Sequence, residues 1–373
     1  MISTRWQNLI PMLALAINAA LIPNPAHAGE APGEWNKVVE AAKKEGKVVV
    51  GGPPTSVLRQ KFKETFEQRF GIELELISAP GPQNASRAMS EFKAGVKYFD
   101  VLHGGSGTLE PLMYENMLAP FMDFVVLPEV KDPRQWWGGH MWEDNIKTSR
   151  FIYSFSADFS TPPFYNAELV TPGEIGSYDD FLQPKWKGKI GFFEPRVPSA
   201  GQGLWGFLMK IKGKEFLQKL AGQDLFISRD GKQLADGLAK GTLAINLGQS
   251  QRFLDPYIKA GIPIKPLFTI KEGLSGSNGF GTVAAMKNAP QSNAAKVYLN
   301  WLLSKEGQTL YSHALSQGTR RLDVDTKWLV KFDSSAAKDV MSPEDFEKVR
   351  FYGEDIIKNW REPAGEFARK ILK

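Results

Sequence analysis

The stretch KWKGKIGFFEPRVPSAGQGLWG, residues 185–206, holds a strand, a proline-broken loop and a helix start in immediate succession. Ile190, Gly191, Phe192 and Phe193 form a short apolar run of buried-strand type. Pro195 and Pro198 then exclude regular structure and force an open loop. Ser199, Ala200, Gly201, Gln202 and Gly203 follow, and Leu204, Trp205, Phe207, Leu208 and Met209 open an amphipathic helix. Strand, loop and helix N-terminus together direct free backbone N–H groups at an anion. Arg196 lies inside the loop and offers a two-pronged contact to carboxylate or phosphate. The alternative is an ordinary βα turn whose arginine is a solvated surface charge.

The same rhythm runs through the N-terminal half. Residues 47–50 read as a strand closed by Gly51, Gly52, Pro53 and Pro54, with Thr55 and Ser56 where a helix cap belongs. Leu58, Phe62, Phe66 and Phe70 recur at i+4 and Gly71 stops them, so a helix is expected there. Residues 72–77 alternate as a strand, 85–93 read as a helix, and 99–102 as a third strand. That strand opens into His103, Gly104, Gly105, Ser106, Gly107 and Thr108. A βαβαβ succession predicts parallel, doubly wound sheets, whose ligands sit beyond the carboxyl ends of the strands. A second α/β unit contains 185–206, a strand at 242–247 and the loop Gly248, Gln249, Ser250, Gln251. Long helices are expected over 293–315 and 346–360, the second read as core packing. The aromatic loop with Trp136, Trp137, His140 and Trp142 reads as a packed surface loop or domain seam, with a ligand-stacking platform as the alternative.

Residues 9–22 are apolar but short and interrupted by Pro11, and Ala26-His27-Ala28 matches a small-x-small cleavage pattern. These features predict a secretory signal peptide over 1–28, cut after Ala28, and a periplasmic product. Its removal takes Arg5 and lowers the formal charge from +5 to +4. So small an excess, spread along the chain, argues against nucleic-acid binding but suits small anions. With 0 cysteines, disulfide scaffolds, thiolate nucleophiles and cysteine-ligated metals are excluded.

Other chemistries lack their residues. Gly201-x-Gly203-x-x-Gly206 fits the dinucleotide fingerprint only formally, because residues 195–199 separate it from the strand. Gly104-Gly105-Ser106-Gly107-Thr108 misses the nucleophile elbow at its last position. His103, His140 and His313 are scattered, with no metal-ligand spacing. His103 reads as a structural histidine, with a ligand hydrogen bond as the alternative. No cofactor and no metal site are expected. The polar strand ends that are left suit a small ligand clamped between two lobes: Thr55, Ser56, Ser106, Gly107, Thr108, Arg196, Ser199, Gly201, Gln202, Gln249 and Ser250.

Six stretches carry a family resemblance: WNKVVEAAKKEGKVVV, EFKAGVKYFDVL, FYNAELV, YDDFLQPKWKGKIGF, LAKGTLAINLG and NAAKVYLNWLLSKEGQTLYSHA. The chain resembles the extracellular solute-binding proteins of ABC importers. It is most similar to the type II periplasmic class that includes iron(III)-, thiamine-, phosphonate- and sugar-phosphate-binding members. The resemblance implies two doubly wound α/β lobes joined by a two-crossing hinge, and delivery of ligand to an inner-membrane permease. Lobe 1 is expected over 29–155 and 270–373, lobe 2 over 156–269, with crossings near 151–159 and 267–273. The iron(III) binders carry a tyrosine pair after the strand matching 242–247, where this chain has Gln249, Ser250 and Gln251. The expected ligand is therefore a small anionic organic solute, the expected protein a monomer and not an enzyme. A ferric carrier, a receptor-docking sensor and a non-cysteine enzyme on the same fold are the alternatives.

Overall fold

A computed structural model describes residues 32–372 apart from 54, 56, 147, 161, 251, 252 and 333. The expected signal segment and Ser56 lie outside the described residues. The strands run β1 (Lys47–Gly52), β2 (Glu73–Ser78), β3 (Val101–Gly104), β4 (Tyr153–Ser154), β5 (Asp158–Phe159) and β6 (Phe164–Asn166). They continue as β7 (Ile190–Phe193), β8 (Phe226–Ser228), β9 (Ile245–Leu247), β10 (Ile264–Pro266), β11 (Gly276–Ser277) and β12 (Thr282–Ala285).

Gly46 shows how local chemistry starts the first sheet. It adopts φ +80°, which ends helix α1 (Pro32–Glu45) and turns the chain straight into β1. β1 pairs in parallel with β2, from Lys47↔Glu73 to Gly52↔Ser78, and with β3 on its other side. The i+4 run between β1 and β2 forms a π turn (Leu58–Phe62) and α2 (Lys63–Phe70), stopped by Gly71 at φ +65°. Its Leu58, Phe62 and Phe66 are buried, as the spacing requires. α3 (Gly81–Lys93) and the short α4 (Glu110–Tyr114) and α5 (Pro128–Lys131) complete this part. β12 returns antiparallel against β3, and β4 against β12, giving the order β2-β1-β3-β12-β4.

The second sheet has the order β10-β6-β9-β7-β8, with β7 parallel to both β8 and β9 and β6 antiparallel to β9. Read from the other end, this is the same plan: three parallel strands with the first in the middle, then two antiparallel ones. Helices α6 (Ala200–Ala221), α7 (Gly231–Ala239) and α8 (Asp255–Lys259) belong to this sheet's part of the chain. Phe192, Trp205, Phe207, Leu217 and Leu247 form its core.

The expected helix over 293–315 is two helices, α9 (Ser292–Leu303) and α10 (Lys305–Leu315). Ser304 separates them because its extended backbone lets the hydroxyl accept from Gly307 N–H at 3.2 Å, capping the second. Both supply the first sheet's core, through Tyr298, Trp301 and Tyr311. The expected helix over 346–360 is also broken. After α11 (Ala337–Val340), α12 (Pro343–Val349) ends early, and α13 (Glu354–Ile356) resumes beyond Gly353 at φ +100°. A π turn (Ile357–Arg361) then runs into α14 (Glu362–Ile371).

The break has a cause in the hinge. β5 pairs with β11 antiparallel, Gly276↔Phe159 and Ser277↔Asp158, joining the two crossings. Phe351 N–H then donates to Gly276 O at 3.0 Å, and Gly276 bridges Arg350 in parallel. A third passage of chain therefore lies beside the two expected ones. Only glycine fits at 276, since a Cβ there would sit 2.8 Å from the Phe346 ring. Beyond this passage Phe351, Ile356, Ala364 and Ala368 enter the second sheet's core. The expectation grouped all of 270–373 with the first lobe; helices α13 and α14 instead pack on the second core, and their small residues allow close approach to α6.

Candidate functional site

Parallel pairing puts the ends of β1 and β3 on one edge of the first sheet, and those of β7 and β9 on one edge of the second. At the first edge β1 finishes in two glycines, and a Cβ at Gly51 would lie 2.5 Å from Leu102. Asn84 of α3 reaches Gly52 O at 3.3 Å and Ile77 O at 3.1 Å, fixing the helix over the strand ends. Thr55 is half-buried and its hydroxyl accepts from Val57 N–H at 3.3 Å, a helix-starting contact. After β3, Thr108 N–H donates to Gly105 O at 3.0 Å, and Gly107 takes φ +77°. The Thr108 methyl packs on Gly81 and Gly104, so part of that side chain is structural. The Ser106 hydroxyl oxygen is buried and has no hydrogen-bond partner among the described residues.

The second edge is more tightly wired. Ser199 caps α6, accepting from Gln202 N–H at 3.0 Å and donating to Glu194 O at 2.5 Å. Gly201 sits where any Cβ would collide with Phe193 O, and Gly248, at φ +70°, faces the Gly201 Cα. The loops after β7 and β9 thus meet at the α6 N-terminus. Arg196 is already held: its Nε donates to Glu194 Oε1 at 2.7 Å and its Nη2 to Oε2 at 2.9 Å. Arg229 approaches the same carboxylate at 3.6 Å. Arg196 and Arg229 keep Glu194 ionised, its pKa below the usual carboxylate range despite burial. Gln202 is buried against Gly365 of α14. Gln249 is buried, donating to Gly231 O at 2.6 Å and accepting from Asn246 at 2.6 Å. Both ends of its amide are therefore engaged within the fold. Ser250 contributes its carbonyl to Phe253 N–H at 3.2 Å and is half-buried.

Between the edges lies a polar cluster that sequence reading missed. Glu110, at the start of α4, and Glu143 are both buried close enough to influence one another, and one carboxyl oxygen of each has no hydrogen-bond partner among the described residues. Burial raises both pKa values, Glu143 well above the usual range because the Glu110 charge adds to it, while the contact with Glu143 holds Glu110 back. Asn278 donates to Glu143, and the Gly107 and Glu110 N–H groups donate to Glu110. Glu354 N–H reaches Glu143 O at 2.7 Å, while its carboxylate accepts from Tyr114, from Ile146 N–H at 3.2 Å and from Lys358 at 3.1 Å. Arg361 stands in the field of Glu143 and Glu110, which offsets part of the lowering that burial imposes on its pKa. None of these residues falls in a spacing pattern; the third passage gathers them.

His103 serves the core, as its structural reading expected. His103 is buried between the Tyr298 hydroxyl at 2.8 Å and the Tyr311 hydroxyl at 3.2 Å, and burial pushes its pKa down to about 3. Trp136 and Trp137 are buried, the first against Tyr153 and the second against Phe346, the packed seam that the aromatic loop suggested. Tyr153 is in the first core, Tyr165 is on β6 of the second sheet, and Tyr257 bonds Asp236. Among the described residues no helix is long and apolar enough to cross a membrane.

Residues 61–338 match the family model described as bacterial extracellular solute-binding protein. The chain is similar in structure to IdiA (FutA) of Trichodesmium in complex with iron and citrate ligands, at 19% identity and a TM-score of 0.64, over 87% of this chain and 99% of that one. It is similar to iron-bound HitA of Pseudomonas aeruginosa, at 15% identity and a TM-score of 0.60, over 87% and 99%. It is also similar to AfuA of Actinobacillus pleuropneumoniae with fructose-6-phosphate bound, at 18% identity and a TM-score of 0.57, over 87% and 98%.

Proposed function

The chain belongs to the bacterial extracellular solute-binding protein family, and from that premise we propose that it captures a small anionic organic solute between its two sheets and delivers it to an inner-membrane ABC permease. In this reading the chain is exported to the periplasm by the 1–28 segment, acts as a monomer, binds no nucleic acid and performs no catalysis. The carrying observation is the α6 N-terminus. There two guanidiniums, Arg196 and Arg229, surround the single carboxylate of Glu194 and leave one surplus positive charge beside helix N–H groups. Arg196, Ser199, Gly201 and Gln202 form the proposed second-edge contacts, with Gln249 and Ser250 behind them. Thr55, Ser56, Ser106, Gly107 and Thr108 form those of the first edge.

The test is a thermal-shift screen of the purified protein against carboxylates, phosphate esters, phosphonates and ferric complexes. A solute bound only by the folded state adds about 2.7 kcal/mol at a hundredfold excess over Kd. Stabilisation by an organic acid or phosphate ester fits the reading, and a shift with ferric complexes alone contradicts it. Bare ferric ion is not expected to bind, because the loop after β9 offers amides and a hydroxyl in place of phenolates. A phenolate-to-iron charge-transfer band on adding ferric ion, lost in Tyr→Phe variants, would favour the ferric alternative.

A further inference from the structure

We propose that Arg361 and the Ser106 hydroxyl form a second anion subsite in the seam between the two sheets, taking a carboxylate or phosphate group of the solute. The proposal rests on the anionic-solute reading above and adds to it a contact on the C-terminal segment.

The fate of the other deep arginines makes the case. Arg320 is fully buried and donates to Ser154 O at 2.7 Å, Trp137 O at 2.7 Å and Gly139 O at 2.6 Å. Arg321 is fastened to Asp323 at 2.7 Å and Leu303 O at 2.7 Å. Arg350 grips Asp355 at 2.7 Å and Glu347 at 2.8 Å. Arg361 is half-buried, enough for burial to dominate its pKa, yet its guanidinium makes no hydrogen bond or ion pair among the described residues. A half-buried guanidinium whose N–H donors find no protein acceptor is open to a ligand, and a planar oxyacid satisfies two of those donors at once.

Its position fits a ligand contact. The Arg361 Cα lies 3.4 Å from the point where a Cβ on Gly206 of α6 would stand, so its backbone rides on the second sheet's helix. Its charge couples to Glu143 and Glu110 on the other side of the seam. Ile357, one turn earlier, lies 3.1 Å from the Cβ position of Gly107, next to Ser106. Ser106 brings a second unpartnered donor to the same seam. The two nearby carboxyls do not fill the site: they are bonded to Asn278 and to backbone N–H groups, and neither comes within 4.0 Å of the guanidinium. Arg361 keeps partial contact with solvent, so a solute can reach it.

The experiment is isothermal calorimetry of wild type, Arg361→Gln, Arg361→Lys and Ser106→Ala with citrate, fructose 6-phosphate and inorganic phosphate, together with unfolding midpoints without ligand. Arg361→Gln should weaken the probe that binds wild type on the order of a hundredfold. Arg361→Lys should recover only part of the loss, because the fork is gone, and Ser106→Ala should lose about tenfold. Unchanged affinity in Arg361→Gln overturns this subsite while leaving the anionic-solute reading intact. No binding of any of the three probes to wild type overturns both. If Arg361→Gln does not fold, phenylglyoxal labelling of wild type decides. Protection of Arg361 by the bound probe supports the subsite, and equal labelling with and without it overturns the proposal.

Discussion

The two sheets share one strand order, yet their facing edges treat a buried acid in opposite ways. In the cluster between the edges, burial raises the pKa of Glu110 and, with the Glu110 charge beside it, carries that of Glu143 well above the usual range. At the second edge, Glu194 is equally hidden, but two arginines keep it ionised. Backbone topology repeats between the lobes; electrostatics does not. A common fold can thus offer a solute one edge of neutral donors and one edge of surplus positive charge.

The largest effect expected tests how rigid the second edge is. Gly201→Ala must push a methyl into the Phe193 carbonyl, and should cost roughly 3–4 kcal/mol in urea unfolding. Gly203→Ala, with nothing within 4 Å, should instead gain about 0.5–1 kcal/mol from helix propensity. Equal effects at the two positions would show that the edge yields.

A next effect concerns acids kept neutral. Asp158, in the hinge beside the first edge, is pushed up to about 6 by burial, although Gly318 N–H at 2.6 Å and Ser156 at 2.9 Å oppose this. A raised carboxyl favours the folded state most below its unfolded value, and that contribution is lost as pH climbs through the folded pKa. Between about pH 4 and 6 this group should remove about 3 kcal/mol, and Asp158→Asn should flatten that slope. Glu143→Gln should act in the same sense at higher pH. Slopes identical to wild type would refute the neutral-acid description.

Glu194 should behave in reverse. Its lowered pKa stabilises the fold above the unfolded value, and the benefit disappears as pH falls through the folded pKa. With Arg196 partly exposed and its charge screened, Glu194→Gln should cost about 1–2 kcal/mol at pH 7 and progressively less as the pH falls through the folded pKa of Glu194. A cost that persists in acid would assign the role of Glu194 to packing.

The smallest expected change is in shape. A ligand contacting both edges should favour a closed form, seen as a slightly smaller radius of gyration in solution scattering. The third passage at Gly276 and Phe351 limits the travel, so a change large enough to separate the lobes fully would count against it.

What the residues announce is local. Glycines 46 and 71, the i+4 run from Leu58, and the strand–loop–helix at 185–206 state their structures because neighbours along the chain decide them. Arg196 was visible, but Pro195 hid that Glu194 would turn back and hold it. The breaks at Ser304 and Gly353 were hidden because amphipathic periodicity continues across both, and hinge pairing outweighs it at 350–351. Glu110, Glu143 and Arg361 were illegible as a group, since only the third passage brings such distant positions into one seam.

That passage also bears on how the polypeptide is made. The first core waits for β12, α9 and α10, and the second for Phe351, Ile356, Ala364 and Ala368. A ribosome releasing this chain from its N-terminus therefore completes the first half only once α10 has emerged, and the second only with the last residues. A stop codon near residue 345 would not trim a dispensable tail. It would leave the second half without one wall, exposing apolar surface to quality-control proteases.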